Sequence, residues 1–459
     1  MQTQCTGNLG EIGRVGQRRI ALDFDGGTLS SDAGALLLRD VDRTLRLTDR
    51  VARCFEDGRN ALLVEHSVRT LVMQRIVGIA LGYEDLNDHE ELRRDPVLAT
   101  LAGKLEARRK GCQALAGKST LNRLEHAPDT REGSRYHKIG HDPAAFESLF
   151  VDLFIEAHAE APNEIVLDLD ATDDPLHGQQ EGRFFHGYYG HYCYLPLYIF
   201  CGRHLLAAKL RRANTDGAAG ASEEVERIVR HIRRHWPAVR IILRADSGFA
   251  RDELMAWCES HGVDFIFGLA KNKRLKEELV AELAEAEAAF KETGRAARRF
   301  RDFRYRTLDS WSCERRVVGK AEQLPGKANP RFVVTSLDSG RWAMQALYED
   351  LYCARGEMEN RIKECQLHLF ADRTSTATMR ANQLRLWFAS FAYVMMEALR
   401  RIGLAGTELA DATCESLRLK LLKIGAQVKL SVRRIHISMA SGYPFQSLWH
   451  HARARLVPG

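Results

Sequence analysis

The sequence predicts an α/β core that is interrupted by a β-rich insertion and flanked by helical segments. Three observations carry this prediction. Short apolar runs alternate with helical patterns through the middle of the chain, a group of shorter alternating runs breaks that rhythm, and both flanks show long stretches of helical spacing. With 459 residues the chain exceeds one ordinary core. The expected division is a helical region over 1–150, a first core part over 160–271, the insertion over 272–340, a second core part over 341–400 and a basic helical end over 401–459.

In the N-terminal part, Ser30-Ser31-Asp32 precedes the periodic run Ala33 to Leu38, a helix start. His66 to Leu81 is long and apolar on helical spacing, and Arg108 to Lys118 reads as a connection. Glu164 to Asp170 (EIVLDLD) is a buried strand bounded by Pro162 and Thr172-Asp173-Asp174-Pro175. Tyr192 to Cys201 is a second strand, Ser222 to Trp236 a helix, Val239 to Ala245 a third strand, Asp252 to His261 a helix and Val263 to Leu269 a fourth strand. This alternation predicts a sheet with parallel members. A charged helix, Leu275 to Thr293, leads into the insertion runs Phe303 to Leu308, Ser312 to Val318 and Arg331 to Leu337, and from Met344 the chain is expected to be helical nearly to its end.

Composition narrows the partners. The chain is 45% hydrophobic and 28% charged, as in a soluble globular protein. Met1 to Arg18 lacks the apolar core of a signal peptide, and the most apolar stretch, Leu386 to Leu399, is too short for a bilayer and carries Glu397. No membrane partner is expected. Ten scattered cysteines without a Cys-x-x-Cys pair argue against a zinc site or a disulfide framework and for a reducing cytoplasm. Net charge is +6, but Ala371 to Gly459 holds thirteen Lys/Arg against five Asp/Glu, a local +8 that leaves −2 for the rest. A basic end of this kind suits a polyanion, because neutralised phosphates release counterions.

Three positions stand out for chemistry. Asp170 closes the EIVLDLD strand, where α/β sheets present side chains to a ligand crevice. Asp168, two residues earlier on the same face, is its rival. Asp246 follows Val239 to Ala245 directly, although Asp246-Ser247-Gly248 reads equally well as a turn before a helix. Glu359 lies in Tyr352-Cys-Ala-Arg355-Gly-Glu-Met-Glu359-Asn-Arg-Ile-Lys363, where helical spacing puts Tyr352, Arg355, Glu359 and Lys363 on one face. An exposed helix laced with ion pairs is the plain alternative there. Two strand-end aspartates and a helical glutamate form an all-oxygen donor set suited to Mg²⁺ or Mn²⁺, and two such ions can serve both oxygens of an in-line phosphoryl displacement.

The ordered set Asp, Asp, β insertion, Tyr-x2-Arg-x3-Glu resembles the DDE insertion-sequence transposases with an RNase H-like core, and among them the insertion-sequence group numbered thirteen-eighty. The phrases LDLDATDDPLHGQQEG with YLPLYIFCG, ILRADSGF, YCARGEMENRIKE, LDFDGGTLSSDAGALLLR and LRLKLLKIGAQV carry the likeness over most of the chain. The resemblance implies that Asp170, Asp246 and Glu359 are the catalytic metal ligands, with two Mg²⁺ (or Mn²⁺) per site. It implies that Tyr352 and Arg355 contact DNA phosphates at the cleavage point. Related enzymes carry a Lys seven residues after the Glu; Gln366 stands there, with Lys363 as the available substitute. Further implications are double-stranded DNA partners (terminal inverted repeats engaged by the N-terminal region, and target DNA), a homodimer on paired ends, and a bacterial, nucleoid-associated cytoplasmic setting.

Other stretches are read as DNA contacts. Arg304 and Arg306 would form an arginine face along a strand whose other face carries Phe303 and Tyr305, and Trp311 is the candidate base-stacking ring. Arg418, Lys420, Lys423, Lys429, Arg433 and Arg434 form a second patch for transposon-end DNA. Three features are set aside. Gly111 to Ser119 imitates a phosphate loop but has its first glycine misplaced and no strand before it; His231 and His235 lack a zincin Glu between them; His137 and His141 lack ligand company. The competing functions are an RNase H-like nuclease that does not join ends, and an inert sequence-specific DNA-binding protein.

Overall fold

The computed structural model describes residues 11–130 and 138–457, so His137 and most of the polar N-terminal stretch fall outside the described residues. The N-terminal region supplies helices α1 (Leu36–Leu45), α2 (Val68–Ala80) and α3 (Pro143–Glu156). Ser67 opens α2 by accepting from the Thr70 amide at 3.2 Å, and Asp142 opens α3 by accepting from Ala144, with Pro143 in the first turn. Nearly every residue of α2 is buried, so its apolar side chains spread round the helix rather than forming a stripe, and buried Gln74 and Arg75 are bonded to the Ala116 carbonyl and to Glu125.

The central sheet is built from β1 (Glu164–Ala171), β2 (Leu197–Cys201), β3 (His204–Lys209), β4 (Arg240–Ala245), β5 (Asp264–Leu269), β6 (Ala297–Tyr305), β7 (Arg315–Leu324) and β8 (Arg331–Thr335), with Lys327–Ala328 hooked onto β7. Eight of its nine strands follow the order β3-β2-β1-β4-β5-β8-β7-β6, and Lys327–Ala328 is the ninth. Strands β1, β4 and β5 run parallel and every other pairing is antiparallel. Helices α4 (Ala221–His235), α5 (Asp252–Ser260) and α6 (Val280–Thr293) cover one face. On the other face a second core joins α1–α3 to helices α7 (Gly356–Lys363) and α8 (Met379–Ala398) and to the C-terminal helix.

Several expectations need correction. The run Tyr192 to Cys201 is two strands, His191–Tyr194 and β2, broken at Leu195-Pro196. Proline cannot donate to a ladder, and the two halves join different sheets. The first half pairs with Asp174–Pro175 and Phe184–His186. Strand β3 escaped the sequence reading; it returns from β2 through Gly202, whose φ of +57° suits the turn. The charged helix is broken between Lys273–Glu277 and α6 so that Leu275 and Leu279 both reach the core. The insertion strands do not stand apart: β8 pairs with β5 and extends the central sheet.

The C-terminal end is not helical throughout. A hairpin, β9 (Ala426–Leu430) with β10 (Ile435–Met439), precedes helix α9 (Gln446–Leu456), and β9 also pairs with Leu29–Ser30. The two ends of the chain pack directly on each other. A Cβ on Gly34 would lie 1.9 Å from the Leu421 carbonyl oxygen, so only glycine permits that approach. The Trp449 indole donates to the Gly34 carbonyl at 3.3 Å, and Ala33 N donates to the Ile424 carbonyl at 3.0 Å.

Candidate active site

Parallel pairing of β1 with β4 brings two strand ends together. Ala245 pairs with Leu169, so Asp246, just past the end of β4, lies beside Asp170, the next-to-last residue of β1. Asp246 caps the turn that follows, its Oδ1 accepting from the Gly248 amide at 2.8 Å. The turn reading and the site reading of Asp-Ser-Gly are therefore compatible, since one carboxylate oxygen is used and the other remains available. Glu359 arrives on α7, within a helical run from Met344 to His368 that is irregular on both sides: Leu347–Tyr352 and Glu364–His368 form wide π turns, and Cys353–Arg355 a tight 3₁₀ turn. Such turns re-aim side chains along a helix and recur at functional sites.

Arg355 stands at the centre. Its guanidinium reaches Asp170 Oδ2 at 3.5 Å and Glu359 Oε1 at 2.6 Å. Burial acts first on the Asp170 carboxyl and pushes it up to about 7; Arg355 opposes that rise, while Asp246 and Glu359 add to it. Burial would lower the Arg355 guanidinium, but Asp170, Tyr352, Glu359 and Asp246 together hold it above its ordinary value. Groups from three separate stretches of the chain thus share one electrostatic environment. Burial raises the Tyr352 phenol, against Arg355 and with Asp246, so Tyr352 belongs to the same cluster.

Two residues that the sequence reading did not single out position this cluster. Gly268 lies against the Tyr352 hydroxyl: a Cβ there would be 2.5 Å from that oxygen and 3.0 Å from the Ser247 amide. A glycine inside the apolar strand Asp264–Leu269 was the available signal, because strand glycines mark close approaches. Arg244 pairs in register with Asp168 across β4 and β1 and grips it with two hydrogen bonds, of 2.5 and 2.8 Å. A third bond, 2.5 Å to the Leu351 carbonyl, ties the residue before Tyr352 to the sheet. Asp168 is consumed in this buried pair, whereas the Asp170 side chain stays partly exposed beside Arg355.

The remaining candidates scatter. Gln366 donates to the Asp173 carbonyl at 2.9 Å and secures the segment after β1, while Lys363 is exposed. Arg304 is exposed on β6, and Arg306 donates to the Trp311 carbonyl at 3.0 Å. Trp311 is corrected: it is 4% exposed and packs edge-on against Tyr305 at 5.8 Å, so its ring is core rather than a free platform. Arg418 is also corrected, being buried and donating to the carbonyls of Ala80 at 2.9 Å and of His368. Lys423 pairs with buried Asp32 at 2.8 Å and covers the Tyr83 ring, and Lys420 lies over Phe445. Arg433, Arg434 and Lys429 are exposed on the β9–β10 hairpin. The sequence counted these cations together; the fold separates those that hold two segments together from those that face outward. The features set aside stay unremarkable: Lys118 N donates to Glu90 at 2.9 Å, His231 pairs with Asp152 at 2.8 Å, and His141 is buried against the Pro128 carbonyl.

The donor set admits hard divalent cations. It offers only carboxylate oxygens, and the Asp170 carboxyl, raised first by burial and further by Asp246 and Glu359, is one whose ionised form a bound cation favours. Among the described residues, no three His, Cys, Asp or Glu side chains converge into a finished cage. The Arg355 guanidinium, bonded to Asp170 and Glu359 at once, is the cation that faces these carboxylates. The Glu359 side chain is 46% exposed.

No helix among the described residues is long and apolar enough to cross a membrane. A comparison with the curated proteins finds no match. The family model described as Transposase DDE domain group 1 matches residues 12–458, a span that contains both strand ends, the insertion and the Glu helix. With nearly the whole length matched and the acidic residues of the crevice inside the match, the chain belongs to the DDE transposase family.

Proposed function

We propose that this transposase binds the inverted repeats at the ends of an insertion sequence, cleaves the phosphodiester there with water, and joins the freed 3′-hydroxyl to target DNA. The observation that carries this reading is the single Arg355 guanidinium shared by Asp170 and Glu359, beside Asp246. Asp170, Asp246 and Glu359 would hold two divalent ions, Mg²⁺ or Mn²⁺, which when bound activate the attacking oxygen and stabilise the leaving one. With Asp170 and Glu359 serving as metal ligands, the Arg355 guanidinium would be available to grip a phosphate in bidentate fashion. The Tyr352 hydroxyl, fixed against Gly268 and raised by burial, stays protonated and donates to a phosphate oxygen.

The strand order β3-β2-β1-β4-β5, with β1, β4 and β5 parallel, supports an RNase H-like core. We assign 160–271 and 341–400 to that core, 272–340 to its insertion, 1–150 to end recognition and 401–459 to a basic DNA-facing end, with membership of the insertion-sequence group thirteen-eighty. Two protomers acting on paired ends complete the reading. Exposed Arg433 and Arg434 favour DNA over other partners for the C-terminal hairpin.

The test supplies Mg²⁺, end-bearing duplexes and pre-cleaved ends with a target plasmid. Cleavage and joined products are expected from the native chain, and Glu359→Gln is expected to retain end binding while losing both. Cleavage without joining would assign the chain to the nucleases, and unaltered behaviour of Glu359→Gln would make the acidic site inert.

A further inference from the structure

After Asp170 the chain passes through Thr172 and Asp173 into the small sheet formed by Asp174–Pro175, Phe184–His186 and His191–Tyr194, which the chemistry above leaves unused. The base of this hairpin is fixed. Glu181 N donates to the Ala377 carbonyl at 2.8 Å, the Tyr194 hydroxyl to the Glu181 carbonyl at 2.5 Å, and Arg183 to the Gly178 carbonyl at 2.6 Å. Its outer part is uncovered: Tyr188 is 86% exposed, Phe185 53%, Phe184 49% and Tyr192 44%. So many large rings left in water on one short segment mark a contact surface.

The rings are ordered toward the acidic crevice. Tyr188 meets Tyr189 edge-on at 5.0 Å, Tyr189 stacks on His191 at 6.1 Å, and His191 Nε2 contacts Asp173 Oδ2 at 2.9 Å. Burial, then Asp173 and Asp170, push the Tyr189 phenol up to about 12, so the inner end of this ladder lies in the field of Asp173 and Asp170. The Arg183 guanidinium sits 4.5 Å over the Tyr192 ring. Exposed rings interleaved with cationic and imidazole groups match a ligand that carries both flat faces and negative charge. An apolar protein segment would leave Arg183 without a counter-charge.

We infer that this hairpin receives unpaired bases of the DNA strand next to the scissile phosphate, stacking them on Tyr188 and on the cross-strand pair Phe185 and Tyr192, 5.6 Å apart on one face, while Arg183 faces the phosphates. The inference rests on the DNA-cleaving reading above. A duplex that must bend its backbone into a half-buried crevice is eased when neighbouring bases leave the stack, and exposed rings repay that unstacking.

The experiment uses the full chain with Mg²⁺ and end-bearing duplexes that carry 2-aminopurine on each side of the cut. Stacking quenches the probe in the native complex. Tyr188→Ala and Phe185→Ala are expected to lose the quench, to bind a single-stranded oligonucleotide about tenfold more weakly, and to cleave fully paired ends at least tenfold more slowly. Pre-mismatched bases beside the cut should restore part of that rate, and Tyr188→Phe should behave as native because the ring is kept. Both sites are surface positions, and an unchanged melting temperature excludes misfolding. Native-like quenching, cleavage and oligonucleotide binding in the alanine variants overturns the inference, as does a loss of self-association with DNA behaviour intact, which makes the hairpin a contact between copies. If the native chain cleaves no end at all, the proposed chemistry fails, while oligonucleotide binding still decides the hairpin.

Discussion

Asp168 and Asp170 lie two residues apart on one face of β1, and each meets an arginine, yet the two pairs behave differently. At the inner position Arg244 delivers two short bonds to a carboxylate that is 2% exposed, and its remaining reach ends on the Leu351 carbonyl. Charge is matched and the donors are spent. At the outer position Arg355 touches Asp170 at 3.5 Å and divides itself between two carboxylates with a third close by, so negative charge is in surplus. A saturated pair joins parts of a fold, whereas an unsaturated cluster in a cleft keeps free energy available for a ligand. The residue types are the same, and the number of partners decides which role each pair takes.

The largest effect expected from this contrast is on chemistry. Asp170→Asn should abolish cleavage by several orders of magnitude with end binding intact, while a conservative change at the inner position should act through stability first. Asp168→Asn leaves Arg244 buried without its counter-charge, and urea denaturation should register a loss of about 3–5 kcal/mol. If Asp168→Asn instead keeps stability and loses activity, the roles of the two aspartates are exchanged.

The third effect is smaller and depends on pH. Because folding raises the Asp170 carboxyl to about 7, the ionised form is disfavoured in the native chain. Its cost is absent below the unfolded carboxylate value near 4 and grows as pH rises toward 7. Ion-free Asp170→Asn should therefore melt a few degrees above the native chain at pH 8 and level with it near pH 4. Added Mg²⁺ should raise only the native chain. The smallest effect separates the two kinds of C-terminal arginine. Arg433→Ala and Arg434→Ala should each reduce the salt slope of DNA binding by about 1 with stability unchanged. Arg418→Ala, whose side chain caps carbonyls of α2 and of the Glu-helix region, should lower the melting temperature instead.

Much of the candidate site was legible because its signals are local. EIVLDLD and VRIILRA each end an apolar run on or just before an aspartate, and the spacing Tyr352, Arg355, Glu359 defines one helical face without knowledge of anything else. The errors arose where the outcome depended on a distant partner. Trp311 reads as a free ring until Tyr305 and the α5–α6 side of the sheet close around it. Arg418 and Lys423 count as DNA-binding charge until Ala80, His368 and Asp32 claim them. Pro196 could have divided the Tyr192 to Cys201 run, since its missing N–H argues against one continuous strand.

By itself the sequence determined the alternation of strands and helices, the two strand-end aspartates and the helical glutamate, because hydrophobic period and chain direction are properties of neighbouring residues. Only the tertiary structure decided that Arg244 saturates Asp168, that Arg355 is shared between Asp170 and Glu359, and which cations are buried. Those outcomes follow from the parallel register of β1 and β4 and from the packing of the N-terminal segment onto the C-terminal one. Each brings together groups separated by long stretches of chain, and their energies exist only once those stretches have been folded against each other.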